Sequence, residues 1–440
     1  MKKLPAPFVE RMKKELGPDY QDFEACYDLP PCRGLRVNTL KICARDFSLV
    51  SPWELEGSGV IPEGFTVTCA ENVGRHPYHA AGLFYMQDPS AMSVIAVSEA
   101  DDSGLKVLDL CAAPGGKSGG IAARMKGRGI LVSNEIVPKR AILLSRNLER
   151  LGVTNAAVVS KDPEVIKKEL PGFFDVVLVD APCSGEGMFR KDDTAIAEWS
   201  EESVEACARR QSLILESACE CVAPDGALVY STCTFSRREN EEVIDKFLSA
   251  HSDFLLEYME RLYPHTSPGE GHFVCRVRRA GVLSRGSVLS GAKTRCDKKA
   301  LGLLSEFMED VLESRLPDGV IVSDNGVLKL IPEGLPEAIL KLGPISAGVT
   351  LGMIRKDRFE PSHTFFMSAL GQRFRRELAL EPDSPGISAF LSGNTLPCPE
   401  SFRGYSAVSV RAGNASYPIG FGKAVDGIMK NHLPKGLYVS

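Results

Sequence analysis

The segment Val107-Leu-Asp-Leu-Cys-Ala-Ala-Pro-Gly-Gly-Lys-Ser118 constrains this chain more than any other, because an apolar run ends in a glycine turn that opens straight into a helical pattern. A strand, a tight turn and a helix in that order begin a βαβ unit, which requires a parallel sheet covered on both faces. The runs Leu105–Leu110, Gly129–Ser133, Ala156–Ser160, Phe174–Val179 and Ala227–Ser231 supply that sheet: each is short and rich in Val, Ile, Leu or Ala. Between them, Lys139–Leu151 carries Leu144, Leu148 and Leu151 at helical spacing and stops at Gly152, a residue type that closes helices in the left-handed conformation. The alternating run His272–Val277 closes the sheet. The pattern predicts an α/β domain of doubly wound, Rossmann-like type over residues 101–280.

At roughly 150 residues per domain, 440 residues give this unit companions. Residues 1–100 mix helical stretches with strand-like pieces such as Leu35–Leu40 and read as a small α+β module. Ala280–Ala292 is rich in Gly, Ser and Arg and reads as a flexible connection into a mixed region, 281–361, with a helix near Leu301–Leu312. Residues 362–440 carry short β-type runs such as Ala407–Val410 and suit a small β-rich barrel. No window reaches the ~18 apolar residues of a membrane span. The basic start lacks an apolar stretch behind it, so the expected compartment is the cytoplasm.

Thirteen cysteines without a C-x-x-C pair and seven histidines without H-E-x-x-H spacing argue against a disulfide framework and against metal chemistry. Cys219 and Cys221 lie two apart on a helical stretch, where side chains diverge. Net charge is −5, yet two segments are locally basic. One holds Arg276, Arg278, Arg279, Arg285, Lys293, Arg295, Lys298 and Lys299 against Asp297. The other, the last forty residues, interleaves Arg403, Arg411, Lys423, Lys430 and Lys435 with Phe402, Tyr405, Tyr417, Phe421 and Tyr438. Such surfaces can track phosphates and stack bases.

Two chemistries compete for the glycine turn. A P-loop needs a glycine five residues before Gly116, where this chain has Cys111, and Pro114 removes a backbone donor that a phosphate cradle wants. The alternative is a turn that approaches the amino-acid end of S-adenosylmethionine, with an acid about twenty residues on to bond the ribose hydroxyls. Glu135 stands at that spacing after the second strand. Asp162 follows the third strand, in reach of an adenine, and Asp180 ends the fourth.

Cys183, in Ala181-Pro-Cys-Ser-Gly185, and Cys233, in Ser231-Thr-Cys-Thr234, both fall at strand exits on the ligand-binding edge of an open sheet. Two thiols and a carboxylate beside a methyl donor suit attack on an unactivated pyrimidine, since cytosine C5 becomes nucleophilic only after a thiolate adds at C6. At these residues the chain resembles the Nop/Sun (RsmB/RsmF-type) RNA cytosine-5 methyltransferases. The likeness runs through Arg33-Gly-Leu-Arg-Val-Asn-Thr-Leu-Lys41, Tyr85-Met-Gln-Asp-Pro-Ser90, Cys111–Lys117, Asp180–Gly185 and Tyr230–Phe235 with Glu239-Asn-Glu. Gly185-Glu-Gly-Met-Phe-Arg-Lys191 and Pro361-Ser-His363 are most similar to the RsmF branch. Arg237-Arg238 departs from the Pro-Glu common in relatives and is expected to face RNA or solvent.

The resemblance implies a SAM-dependent methyltransferase domain, a PUA-like RNA-binding domain at 362–440, and small-subunit ribosomal RNA or the small subunit as partner of a monomeric enzyme. It implies that Cys111, Ala112, Ala113, Pro114, Gly115, Gly116 and Lys117 hold the methionine part of S-adenosylmethionine, Glu135 the ribose and Asp162 the adenine. Asp180 borders the methyl donor and the base, Cys233 is the nucleophile, and Cys183 assists product release. Arg36, Asn38 and Gln87–Ser90 serve either folding or RNA contact, and Lys191 faces solvent or a phosphate. The C-terminal segment from about Ser362 is expected to be separable, its removal weakening RNA binding and sparing the cofactor. Two rival readings are a tRNA-modifying relative and a catalytically silent ribosome-assembly factor.

Overall fold

The computed structural model describes residues 3–68, 72–101, 104–281, 289–313 and 319–438. The N-terminal module joins helices such as Ala6–Leu16 to a four-stranded antiparallel sheet of β1 (Gly34–Val37), β2 (Leu55–Gly57), β3 (Gly64–Val67) and β4 (Phe84–Met86), ordered β2-β3-β1-β4.

The central sheet forms where the apolar runs predict it. Strands β5 (Lys106–Asp109), β6 (Ile130–Asn134), β7 (Ala156–Val159), β8 (Phe174–Asp180) and β9 (Val222–Thr232) lie parallel in the order β9-β8-β5-β6-β7. Alternation along each strand fills both faces. Leu108, Val132, Val177 and Leu228 enter one core, whereas Val107, Leu131, Val176 and Val229 enter the other. The helix Pro138–Leu151 buries Leu144, Leu148 and Leu151, and Gly152 ends it at φ +78°. After β7 the chain returns to the far side of β5. That switch opens a crevice at the carboxyl ends of β5 and β8.

The sheet is wider than the pattern predicts. The expected closing strand, β11 (His272–Arg279), is antiparallel to β9 and is itself covered by β10 (Phe254–Leu262). Leu255 to Glu260 are exposed, so β10 carries no alternation of buried and polar residues to mark it. Downstream, β12 (Val320–Asp324), β13 (Val327–Ile331), β15 (Val349–Arg355) and β16 (Arg358–Pro361) form a second antiparallel sheet. The short β14 (Ser346–Ala347) leaves that sheet to pair with β7 at the other edge of the central one. The predicted helix spans Lys298–Val311. Most of the predicted flexible connection, including Arg285, lies outside the described residues.

The expected C-terminal barrel is a five-stranded sheet of β17 (Glu377–Leu380), β18 (Leu396–Pro397), β19 (Gly404–Ala412), β20 (Ala415–Val425) and β21 (Ile428–Asn431), ordered β17-β19-β20-β21-β18. Its core is not wholly its own. Ile387, Phe390, Val408, Val410 and Ile419 share one core with Leu35, Val37, Phe47 and Phe84 of the N-terminal module.

Charge and aromatic patterning also resolve differently in three dimensions. Arg276 pairs with Glu99 and Glu257, Arg278 with Glu257, Arg279 with Asp253, Arg295 with Glu337 and Lys299 with Asp357. That first basic run is therefore largely neutralised within the fold. In the barrel, Phe421 is buried and stacks on Phe366 at 4.4 Å, while Phe402, Tyr405 and Tyr417 pack against cores. Of the five aromatics, Tyr438 is 41% exposed. Among the described residues no helix is long and apolar enough to cross a membrane.

Candidate active site

The glycine turn leaves β5 at the crevice and is held from two directions. Gly115 sits at φ +111°, a conformation that side chains resist, and starts the helix Gly116–Met125. Arg140 donates to Ala113 O at 3.1 Å and Asn147 to Pro114 O at 2.8 Å, both from the helix Pro138–Leu151. From the N-terminal module, Arg36, 1% exposed, donates to Gln87 Oε1 and to Gly116 O, each at 2.9 Å. Asn38 donates to Gly82 O and Leu151 O. Arg36, held by Gln87, thus fastens the module to the turn, and Asn38 fastens it to the end of the helix Pro138–Leu151.

Beneath the turn, Asp109 is fully buried, and Ser118 Oγ donates to its Oδ2 at 2.6 Å. Burial, only partly offset by that bond, pushes its carboxyl up to about 7. Burial also holds the Cys111 thiol far above its ordinary range, in its neutral form.

The acids occupy the strand tips. Glu135 directly follows β6 and is buried; its Oε1 accepts from Val137 N at 2.9 Å, and its Oε2 lies 3.3 Å from Arg140. Asp162 is exposed and caps the helix Pro163–Glu169, accepting from Glu164 N at 2.9 Å. Asp180, the last residue of β8, meets Lys117 Nζ at 2.7 Å and accepts from Ser231 Oγ at 2.9 Å. Burial raises the Asp180 carboxyl, but Lys117, His272 and these hydrogen bonds outweigh it and hold the group below its usual value. Burial opposes the Lys117 charge in turn, and Asp180 reverses that, raising the ammonium above its ordinary value. The pair stays ionised.

Fully enclosed beside them is His272, the first residue of β11. Its Nε2 lies 3.9 Å from Asp180 Oδ1 without a hydrogen-bond partner. Burial and the Lys117 charge lower its pKa to about 3, against Asp180, so the imidazole is neutral.

The two cysteines meet across adjacent strands, Cys183 Sγ and Cys233 Sγ lying 3.3 Å apart with both thiols free. Cys233 lies close enough to Lys117 to help stabilise its charge. The hydrogen bond to Cys233, together with burial, raises Cys183 well above its ordinary pKa. Cys183 is thus a neutral thiol able to donate to its neighbour's sulfur.

One carboxylate fastens both loops. Glu239, fully buried, accepts from Ser184 N at 2.8 Å, from Ser184 Oγ at 2.5 Å and from Gln211 Nε2 at 3.1 Å; Gln211 also donates to Pro182 O. Next to it, Asn240 accepts from Thr232 Oγ1 at 2.6 Å and donates to Thr234 O, bracketing Cys233. Gly187 N donates to Cys233 O at 2.8 Å, and a Cβ on Gly187 would stand 2.9 Å from that oxygen. The sequence presents Glu239-Asn-Glu as a motif without a task; the signal was there, but its partners lie in another loop. Asp109, Arg140 and His272 carry no sequence signal of their own.

Residues outside the site have plain occupations. Lys191 pairs with Asp88 at 2.5 Å. Arg238 pairs with Glu205 and Glu242 at an exposed position. Cys219 and Cys221 donate to different carbonyls, those of Glu216 and Ser217. Cys219, Glu216 and His251 do place ligand atoms within 4.8 Å of one another, with His251 Nε2 already on Glu216.

The expected residues thus line one edge, and they fit S-adenosylmethionine: a side-chain-free left-handed turn, a buried carboxylate at the second strand tip and an ionised pair at the switch point. Family models match in four pieces: the N-terminal domain of 16S rRNA methyltransferase RsmF over residues 4–89, 16S rRNA methyltransferase RsmB/F over 94–278, the RsmF rRNA methyltransferase first C-terminal domain over 306–369, and the methyltransferase RsmF PUA domain over 377–438. A ribosomal RNA small subunit methyltransferase F from Erwinia tasmaniensis is 39% identical over 63% of this chain and 63% of its own length. Its namesake from Vibrio vulnificus is 33% identical over 99% of this chain and 97% of its own. Among solved structures, a methyltransferase homologue protein from Pyrococcus horikoshii superposes with a TM-score of 0.53 at 26% identity, over 62% of this chain and 100% of that one. NSun6 from Pyrococcus horikoshii with SFG shares the fold, with a TM-score of 0.56 at 20% identity over 63% of this chain and 99% of its own. Fold and full-length likeness agree, and the chain belongs to the RsmB/F family of 16S rRNA methyltransferases, S-adenosylmethionine-dependent enzymes of RNA.

Proposed function

We propose that this chain methylates C5 of cytosine in 16S ribosomal RNA through a covalent bond between Cys233 and C6 of the base. The observation that carries the reading is the thiol pair, 3.3 Å apart beside an ionised Lys117–Asp180 pair. S-adenosylmethionine supplies an electrophilic methyl group. Residues Cys111–Lys117 hold its methionine end, Glu135 its ribose and Asp162, with the carboxylate oxygen not used in capping, its adenine.

The chain's own groups then act in order. The Cys233 thiolate adds to C6, and the ring electrons become available at C5. Lys117 and Asp180 set a fixed charge environment at the base, worth more in a water-poor crevice than in solvent. After C5 accepts the methyl group, solvent water takes the C5 proton, the C5–H electron pair re-forms the C5–C6 double bond, and the S–C6 bond breaks with its electron pair returning to Cys233. The Cys183 S–H, held as a neutral thiol, steadies the departing thiolate by hydrogen bonding.

The test is a denaturing gel with labelled RNA. Cys183→Ala is expected to leave a shifted protein–RNA band, since the adduct forms and exits poorly, whereas Cys233→Ala and the double variant give none. A band that survives Cys233→Ala and disappears with Cys183→Ala overturns the assignment and makes Cys183 the nucleophile. Labelled methyl transfer to small subunits, free 16S ribosomal RNA and tRNA in parallel decides the substrate; transfer to tRNA alone overturns the ribosomal reading.

A further inference from the structure

A second cavity, of about 410 Å³, opens where the N-terminal module, the helix Pro138–Leu151 and the C-terminal barrel meet, and no residue assigned above to catalysis lines it. Its volume falls within the roughly 300–1,000 Å³ of ligand pockets. Four kinds of group face it. Leu143, Leu391 and Leu433 make apolar walls, and Arg75 and Arg146 bring positive charge. Among the described residues neither arginine forms an ion pair at 4.0 Å or less, although the Arg146 charge is felt by Glu149.

The third is His363, 8% exposed, whose Nδ1 has no hydrogen-bond partner. Burial and the Lys41 charge lower its pKa to about 4, so it offers a neutral polar edge. Glu149 also lines the cavity; burial raises its carboxyl, against a hydrogen bond from Thr364 and the Arg146 charge.

A bare phosphate has no use for three leucines, and an aliphatic chain has none for two arginines. A nucleotide uses every element: a flat base between apolar walls, a polar base edge for the unpaired imidazole, and a phosphate for the guanidinium groups. We infer that this cavity binds one nucleotide of the RNA substrate other than the target cytosine. The inference rests on the RNA reading above and adds to it a second point of attachment, built jointly by the N-terminal module and the barrel.

The experiment measures binding of a fluorescein-labelled single-stranded decaribonucleotide to the full chain by anisotropy, at several salt concentrations. Two variants are compared with wild type: Arg75→Ala/Arg146→Ala, which removes the charge, and Leu143→Trp, which fills the cavity from a residue 49% exposed. S-adenosylmethionine affinity confirms that each is folded. Both variants are expected to weaken binding at least about tenfold, with the salt slope reduced only in the arginine variant.

Weakening by the arginine variant alone means a basic surface without a pocket and overturns the inference; so does an effect of the tryptophan alone or of neither. Nucleoside 5′-monophosphates that bind as tightly as the decamer, and are lost equally in both variants, would assign the cavity to a free nucleotide instead. Wild type that methylates 16S ribosomal RNA while decamer binding ignores both variants overturns the cavity alone. Wild type that neither binds nor methylates RNA overturns the functional reading itself.

Discussion

Lys117 Nζ, one residue into the helix that follows the glycine turn, lies 2.7 Å from Asp180 Oδ2 at the end of β8 and so closes the crevice at the sheet's switch point. Asp180 titrates below its ordinary value of 3.8, so the stability this pair contributes is fully present above that pH and is lost only as pH falls through the lower folded value. Activity should show no acid limb from Asp180 above about pH 4. Lys117→Met removes the largest group that opposes burial and moves that titration upward, which a pH–rate profile would display as a new acid limb. Asp180→Asn should reduce methyl transfer about 100-fold or more.

Glu135 holds the turn after β6 and faces Arg140. Glu135→Ala should weaken S-adenosylmethionine binding by ~1–3 kcal/mol, the range for a lost charge-assisted hydrogen bond at a buried acceptor. Calorimetry reporting unchanged affinity in a folded variant would remove Glu135 from the cofactor site.

Glu239 touches neither thiol, yet it ties Ser184 and Gln211 together beneath them. Glu239→Ala leaves the Ser184 N–H and hydroxyl without their acceptor, at a cost of about 1–3 kcal/mol in stability by chemical denaturation. Because the Cys183 loop then loosens, methyl transfer should fall more than S-adenosylmethionine affinity does. Equal loss of both would point to general unfolding.

The free thiols of Cys183 and Cys233, 3.3 Å apart, should also be open to oxidation. Diamide takes two electrons and two protons from the pair and leaves a disulfide; dithiothreitol restores both thiols. Methyl transfer should fall on diamide treatment and recover fully on reduction, with the Cys183–Cys233 peptide identified by mass spectrometry. Recovery without that crosslinked peptide would place the sensitive thiol elsewhere.

Truncation after Pro361 should not give a working catalytic core. It uncovers Leu35, Val37, Phe47 and Phe84, which share a core with the barrel, and each buried side chain of this size contributes ~1.5–3 kcal/mol. Losing several at once is comparable with the ~5–15 kcal/mol stability of a whole domain. The expected outcome is a lower melting temperature and weakened cofactor binding. A truncated protein that melts like the full chain would mean that the shared core contributes little.

The central sheet, the glycine turn and the chemical residues at the strand tips were legible in the amino-acid order because they depend on local periodicity and on short turns. Val107 to Asp109, Phe174 to Asp180 and Leu144 to Gly152 each declare their element within a few residues. What the order of residues could not disclose was partnership across long separations. Exposed β10 and two-residue β14 join the sheet through backbone bonds that leave no side-chain pattern. Arg276 and its neighbours read as a basic surface until the fold sets Glu99, Glu257 and Asp253 against them, and Phe421 reads as a stacking ring until Phe366 covers it. The thiol pair is the sharpest instance. The sequence places Cys183 and Cys233 at strand exits, but only the parallel pairing of β8 with β9, fastened by Glu239, brings the two sulfurs into contact, because that distance depends on the register of two strands and not on the residues of either.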